Sequence, residues 1–98
     1  MKPARIRFVP TEEGVRKAAP ARVNLNYRTH AGPTTDVRDA SWTLVVEFDE
    51  PPALGKWTLC KVNYLAYSHP DCPPLTPGIK LNMFEGHRLV ANVELIDP

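Results

Sequence analysis

The 98-residue sequence has little cysteine, little glycine and no long hydrophobic run. Two cysteines are too few for the disulfide framework of small secreted domains, and we expect both Cys60 and Cys72 to be free thiols. No apolar stretch approaches the roughly 20 residues that cross a bilayer, and the first residues lack the apolar centre of a signal peptide. These absences predict a cytoplasmic protein with no membrane partner.

The five glycines are isolated from one another, at positions 14, 32, 55, 78 and 86. The phosphate-binding loop of P-loop enzymes needs two glycines in the pattern Gly-x-x-x-x-Gly-Lys-Ser/Thr, because its backbone N–H groups hold the phosphates. No part of the sequence has this spacing. Nucleotide hydrolysis through such a loop is therefore excluded.

Residues that bind metals or act as nucleophiles are also sparse. His69-Pro70-Asp71-Cys72 offers three kinds of metal ligand, with Cys60 as a further candidate, but structural zinc sites use four ligands and no Cys-x-x-Cys pair is present. We favour a plain turn. Neither Ser41 nor Ser68 lies in the context of a catalytic serine. We expect no catalytic residues, no metal ion, no cofactor and no enzymatic activity.

Basic residues and prolines, by contrast, are concentrated. The 11 prolines lie between apolar runs, as is typical of many short elements separated by turns. Residues 1–28 carry a net charge of +5 and the remainder −4, within a total of +1. This asymmetry permits an anion-binding face on a protein that is not basic as a whole, and ordinary solvated surface charge is the alternative.

Alternating apolar and polar residues, with many β-branched and aromatic side chains, predict six strands. These are residues 3–9, 21–28, 41–48, 56–67, 79–84 and 88–96. In the fourth run the alternation shifts near Lys61, which predicts a bulge or bend. Turn-forming residues separate the runs, and their segments are 10–20, 30–40, 49–55 and 68–78, with a tight hairpin at Glu85-Gly86-His87.

The fold class follows from these strands and from the length. No window shows the apolar spacing of an amphipathic helix, and 98 residues are enough for one hydrophobic core. Short strands with regular turns favour a sheet closed on itself, which leaves no exposed edge. We predict an all-β protein in which residues 1–98 form one small, closed, six-stranded, antiparallel-rich β-barrel with most aromatic side chains in its core.

Three stretches also carry a family pattern. They are the loop Thr11-Glu12-Glu13-Gly14-Val15-Arg16-Lys17, the strand Arg22–Thr29 with Thr35-Asp36-Val37 after an insertion from His30 to Thr34, and the hairpin Leu75–Val90 with Glu-Gly-His-Arg at its tip. In this order and at these separations, the stretches resemble the third, C-terminal β-barrel domain of elongation factor Tu. The GTPase domain of that factor has no counterpart in the sequence.

The resemblance implies a function and a set of residues. In elongation factor Tu the matching loop and hairpin help to hold the T-stem backbone of aminoacyl-tRNA. Carried over to this sequence, the RNA- or partner-binding residues are Arg16 and Lys17 in the loop and His87 and Arg88 at the hairpin tip, on the same side of the barrel. Contacts of this kind are directed to phosphates, so they position RNA without reading its sequence.

The sequence thus predicts a non-catalytic binding module that engages structured, tRNA-like RNA or another translation component. Three alternatives stay open at this point. The first alternative is a protein–protein interaction module of an adaptor or immunity-like kind, and the second is a structural fragment that works beside other domains. In the third alternative, the basic residues are ordinary solvated loop charges, and Arg88 pairs with Glu13 or Glu85.

Overall fold

The structure is a computed structural model that describes residues 1–9 and 26–97. Within these ranges the chain forms six strands and one turn of 3₁₀ helix: β1 (Lys2–Phe8), β2 (Asn26–Gly32), the 3₁₀ turn (Val37–Asp39), β3 (Trp42–Phe48), β4 (Thr58–Tyr64), β5 (Lys80–Glu85) and β6 (Arg88–Leu95). No helix in the described ranges is long and apolar enough to cross a membrane.

The six strands close into a barrel in the order β1-β4-β3-β2-β5-β6, and every neighbouring pair is antiparallel. The predicted all-β class and the closed six-stranded barrel are therefore confirmed. Because each strand runs against its neighbours, the C-terminal ends of β1, β3 and β5 meet the N-terminal ends of β2, β4 and β6. We call this the hairpin end, since it carries the turn between β5 and β6. The opposite end carries the connections 33–41 and 65–79.

The core lies inside the barrel and is built from the inward-facing residues of all six strands. β1 shows the predicted alternation, with Ile6 and Phe8 buried and Arg5 and Arg7 partly exposed. The fully buried interior also holds large side chains from four other strands, among them Leu44, Val46, Val62, Met83, Val93 and Leu95. Burying a side chain of this size contributes about 1.5–3 kcal/mol, so this interior is the main source of stability.

The second strand differs from its predicted position. We expected a strand at residues 21–28 and a turn from His30, whereas β2 continues to Gly32. Residues 21–25 lie outside the described part of the chain. The alternation itself continues through the extra residues, with Ala31 buried and His30 exposed, and the small Ala31 packs against the core.

The bulge also lies elsewhere than predicted. β4 has no shift at Lys61, because Thr58, Cys60, Val62 and Tyr64 face inward in one unbroken alternation. The irregularity falls instead in the β5–β6 pair, where Met83 is opposite Ala91 and Phe84 is opposite Leu89, so Val90 of β6 is the extra residue. An extra residue in one strand of a pair allows adjacent side chains to reach the same interior, and Val90 and Ala91 are both part of the buried core.

Candidate functional site

The tip of the β5–β6 hairpin is a two-residue turn, Gly86–His87, between the paired residues Glu85 and Arg88. Gly86 has a φ of +63°, which favours glycine because it lacks a Cβ atom. His87 and Arg88 are both exposed. The predicted hairpin is therefore present, and it presents two of the four predicted binding residues to solvent.

Two side chains of β2 hold this hairpin in place. The Tyr27 hydroxyl donates a hydrogen bond to the Glu85 carboxylate, and the Thr29 hydroxyl donates one to the Phe84 carbonyl. The Tyr27 ring meets the Phe8 ring edge-on at 5.4 Å, which anchors it to the core. Arg28 lies between these two residues and is exposed.

The charged groups around the tip are of both signs. Glu85, the carboxylate of the turn, is already engaged by Tyr27, and no salt bridge in the described ranges joins it to Arg88. At the same end of the barrel, Asp49 pairs with Lys61 at 3.1 Å between Oδ1 and Nζ. Within the described ranges, no salt bridge engages the exposed guanidinium group of Arg28 or Arg88.

The other two predicted residues, Arg16 and Lys17, lie outside the described residues, as does Glu13. The residues that flank this segment are described. The Val9 N–H donates to the Val90 carbonyl at 2.8 Å, and Asn26 is paired with Glu47. Both flanking residues lie at the hairpin end of the barrel.

A second polar feature covers the outer face of β1, β6 and β5. We call it the polar wall, and it consists of two cross-strand rows, Arg7–Asn92–Asn82 and Arg5–Glu94–Lys80. The Arg5 guanidinium contacts the Glu94 carboxylate at 2.9 Å. Within the described ranges, Lys80 forms no salt bridge, although it lies opposite Glu94.

Hydrogen bonds fix the orientation of the side-chain amides in the first row, Arg7–Asn92–Asn82. The Arg7 guanidinium donates to Asn92 Oδ1 at 3.0 Å, and Asn92 Nδ2 donates to Asn82 Oδ1 at 3.0 Å. Arginine has no acceptor, so its contact fixes the orientation of the Asn92 amide and, through it, that of Asn82. The Asn82 amide nitrogen has no hydrogen-bond acceptor among the described residues, so it can donate to a ligand.

Trp57 lies over the edge of this wall and is an exception among the aromatic side chains, most of which lie in or against the core, as predicted. Its ring centroid is 4.4 Å from Arg5 Cζ and 5.4 Å from Arg7 Cζ, and the residue is 40% exposed. Tyr67 is also exposed, at 71%. Trp57, the first row, Lys80 and Pro33 line a cavity of about 420 Å³. Sequence reasoning missed this site.

At the opposite end, a cavity of about 340 Å³ has almost entirely apolar walls. Trp42 and Tyr64 form one side, with their ring centroids 5.7 Å apart, and Ile79 and the prolines of the 65–79 connection form another. Leu65 in that connection is exposed. No sequence pattern pointed to this cavity, because it is assembled from the ends of four strands.

The residues considered for metal binding or nucleophilic catalysis lie apart. Cys60 is buried in the core, and this burial raises the pKa of its thiol to about 12. His69 and Asp71 lie in an exposed turn, where the Asp71 N–H donates to His69 Nδ1 at 3.1 Å. Cys72 packs against the edge of the core, and both cysteines are free thiols. In the described ranges no three metal-ligating side chains come together.

No family model, curated protein or solved structure matches this chain. The likeness to the third domain of elongation factor Tu therefore rests on the three stretches quoted above. The function is therefore inferred from the geometry of the hairpin end and of the polar wall.

Proposed function

We propose that this protein is a non-catalytic binding module that engages structured RNA, or a translation component associated with such RNA, through the hairpin end of its barrel. The observation that carries the proposal is the held hairpin tip. Tyr27 and Thr29 fix the turn and occupy its carboxylate, while His87 and Arg88 face solvent.

Phosphate is the ligand group that this arrangement suits. Arginine offers several N–H donors in a planar fork and stays charged at all physiological pH values, so it matches the oxygens of a phosphodiester. A tip that is already held by hydrogen bonds loses little conformational entropy on binding. The resemblance to a translation-factor domain adds Arg16 and Lys17 as further phosphate contacts in this proposal.

Binding measured at several salt concentrations tests the proposal. Neutralising three or four phosphates gives a log–log salt slope of about −3, and each lost contact reduces its magnitude by about 1. We expect fluorescently labelled tRNA to bind at low salt, with Arg88→Gln and the double change Arg16→Gln, Lys17→Gln each weakening binding and flattening the slope.

Lys2→Gln is the matched control, because Lys2 is an exposed lysine at the start of β1, at the end of the barrel opposite the hairpin. It should leave the affinity for tRNA and the salt slope close to those of the wild type. Absence of tRNA binding at low salt, or equal weakening by Lys2→Gln and Arg88→Gln, would contradict the proposal.

A second candidate function, protein–protein interaction, is favoured by the apolar cavity at the opposite end. Its walls suit an apolar side chain of a partner protein, and exposed apolar surfaces of this kind mark interaction sites. This function predicts a complex that survives ribonuclease, is lost in Ile79→Asp and is retained in Arg88→Gln. A complex lost with ribonuclease or with Arg88→Gln instead supports the RNA function.

A further inference from the structure

We propose that the polar wall is a binding site for single-stranded nucleic acid, in which an unpaired base stacks on Trp57 while Asn82 and Lys80 hold acceptor oxygens of the same strand. The inference goes beyond the function proposed for the hairpin end. It concerns a different surface and an unpaired strand, and it stands on its own contacts.

Trp57 provides the stacking surface. The residue precedes β4 and is 40% exposed, so much of its ring lies outside the core. The guanidinium groups of Arg5 and Arg7 lie against the ring at 4.4 and 5.4 Å and fix its orientation by cation–π contact. A base gains the most from an aromatic ring whose position is fixed before binding.

The stack of Arg5 and Arg7 on Trp57 leaves two side-chain donors without a hydrogen bond. The Nε atoms of Arg5 and Arg7 are shielded from solvent, and neither has a hydrogen-bond partner among the described residues. Leaving a buried donor without a partner destabilises a fold, and native proteins keep such groups rarely. The two guanidinium groups contact the Trp57 ring in place of these hydrogen bonds.

The hydrogen-bonding groups that the wall offers are mostly donors. The chain from Arg7 through Asn92 leaves the Asn82 amide nitrogen as a donor, and Lys80 adds an ammonium group without a salt bridge in the described ranges. Glu94 is the carboxylate of the wall, and Arg5 contacts it. The complementary ligand is therefore rich in acceptors and negatively charged, as phosphates and base carbonyl groups are.

A flat apolar surface beside several donors selects an unpaired strand. Bases within a duplex are stacked on both faces, whereas an unpaired base exposes a face to an aromatic side chain and its edge to polar groups. Trp57, Asn82 and Lys80 line the same cavity of about 420 Å³. One nucleotide can therefore meet the ring and the donors together.

The test measures binding of a labelled oligouridylate of about 12 nucleotides by fluorescence anisotropy at low salt. Trp57→Leu is expected to raise the Kd by about tenfold or more, and Trp57→Phe to raise it less because a ring remains. Asn82→Asp keeps the shape and the acceptor for Asn92 but replaces the donor with a negative charge. It is expected to raise the Kd by about fivefold or more.

Two controls match these variants. Tyr67→Leu removes another exposed aromatic ring, and Asn63→Asp adds a negative charge on another outward-facing asparagine. Both should bind the oligonucleotide as the wild type does. Stacking should also quench tryptophan emission in the wild type but not in Trp57→Phe, which retains Trp42.

The outcomes separate this inference from the function of the hairpin end. If oligouridylate binding depends on Trp57 and tRNA does not bind, the result supports a binding site on the polar wall and contradicts the function proposed for the hairpin end. Binding of tRNA that depends on Arg88, together with an oligouridylate Kd that Trp57→Leu leaves unchanged, overturns the inference and keeps the proposed function. Absence of oligouridylate binding at low salt also overturns the inference.

Discussion

The two faces of β1 perform different tasks. Its inward face carries Ala4, Ile6 and Phe8, which are almost completely buried, and its outward face carries Arg5 and Arg7, which contact Trp57 and the polar residues of β6. Apolar burial contributes kilocalories per side chain, whereas ion pairs near the surface contribute about 0–1 kcal/mol. The comparison teaches that inward substitutions should change stability, and outward ones should change binding.

The largest expected effect comes from deleting an inward side chain. Leu44→Ala removes a fully buried side chain from β3 and should lower the free energy of unfolding by about 2–5 kcal/mol, because a cavity remains. Val45→Ala, on the outward face of the same strand, is the matched control and should cost less than half as much. Urea denaturation followed by circular dichroism measures both, and equal losses would break the comparison.

Gly32 refines the comparison of inward-facing with outward-facing positions. It lies at an outward-facing position of β2 and is nevertheless buried. A Cβ atom there would be 2.4 Å from the Asp39 carbonyl oxygen and 2.7 Å from its carbon, so the backbone after the 3₁₀ turn would have to move. Gly32→Ala should therefore destabilise the protein by about 1–3 kcal/mol.

The control for this change is Gly86→Ala, where an added Cβ meets nothing within 4 Å and only the positive φ is unfavourable. It should cost about 1 kcal/mol or less in the same denaturation experiment. A larger loss for Gly86→Ala than for Gly32→Ala would show that the 3₁₀ turn moves freely away from β2.

A smaller effect on stability is expected at alkaline pH only, and it should differ between the inward-facing Cys60 and Cys72 at the edge of the core. Burial raises the pKa of the Cys60 thiol from 9.0 to about 12. Its contribution to stability is present below pH 9 and is lost as the pH rises towards 12, with a slope of at most about 1.4 kcal/mol per pH unit. Cys60→Ala should show a shallower loss of stability over this range than Cys72→Ala.

A thiol reagent checks the same assignment near neutral pH. The partly exposed Cys72 should react in the native protein, whereas Cys60 should react only after unfolding by denaturant. Fast reaction of both thiols without denaturant would show that the interior opens more readily than its burial implies.

Much of the fold could be predicted from the sequence, because most strands have apolar residues on one face only. Ile6 and Phe8 alternate with arginines, and Gly86 marks the hairpin by its backbone freedom. The fourth strand was ambiguous, since Trp57 and Leu59 are as apolar as the Cys60 and Val62 that in fact face inward. Periodicity cannot choose between two apolar faces, and this led to the bulge wrongly placed at Lys61.

The candidate sites were less accessible to such reasoning. The hairpin turn was predicted from Glu85-Gly86-His87, and the resemblance to the elongation factor Tu domain is what made His87 and Arg88 candidate binding residues. The stacking of Trp57 on Arg5 and Arg7 joins residues about fifty positions apart, and it depends on the pairing of β1 with β4. The Gly-Pro sequence after Ala31 suggested an early end to β2, whereas the small Ala31 packs inside and lets the strand continue to Gly32.

The closed circuit of strands also limits how any other molecule can attach. Each strand is paired with a neighbour on both sides, so within the described part of the chain an incoming peptide finds no wholly unpaired strand edge to which it could add as a seventh strand. Recognition therefore falls to side chains and loops. Exchange of those outward groups can redirect the choice of ligand without disturbing the scaffold beneath.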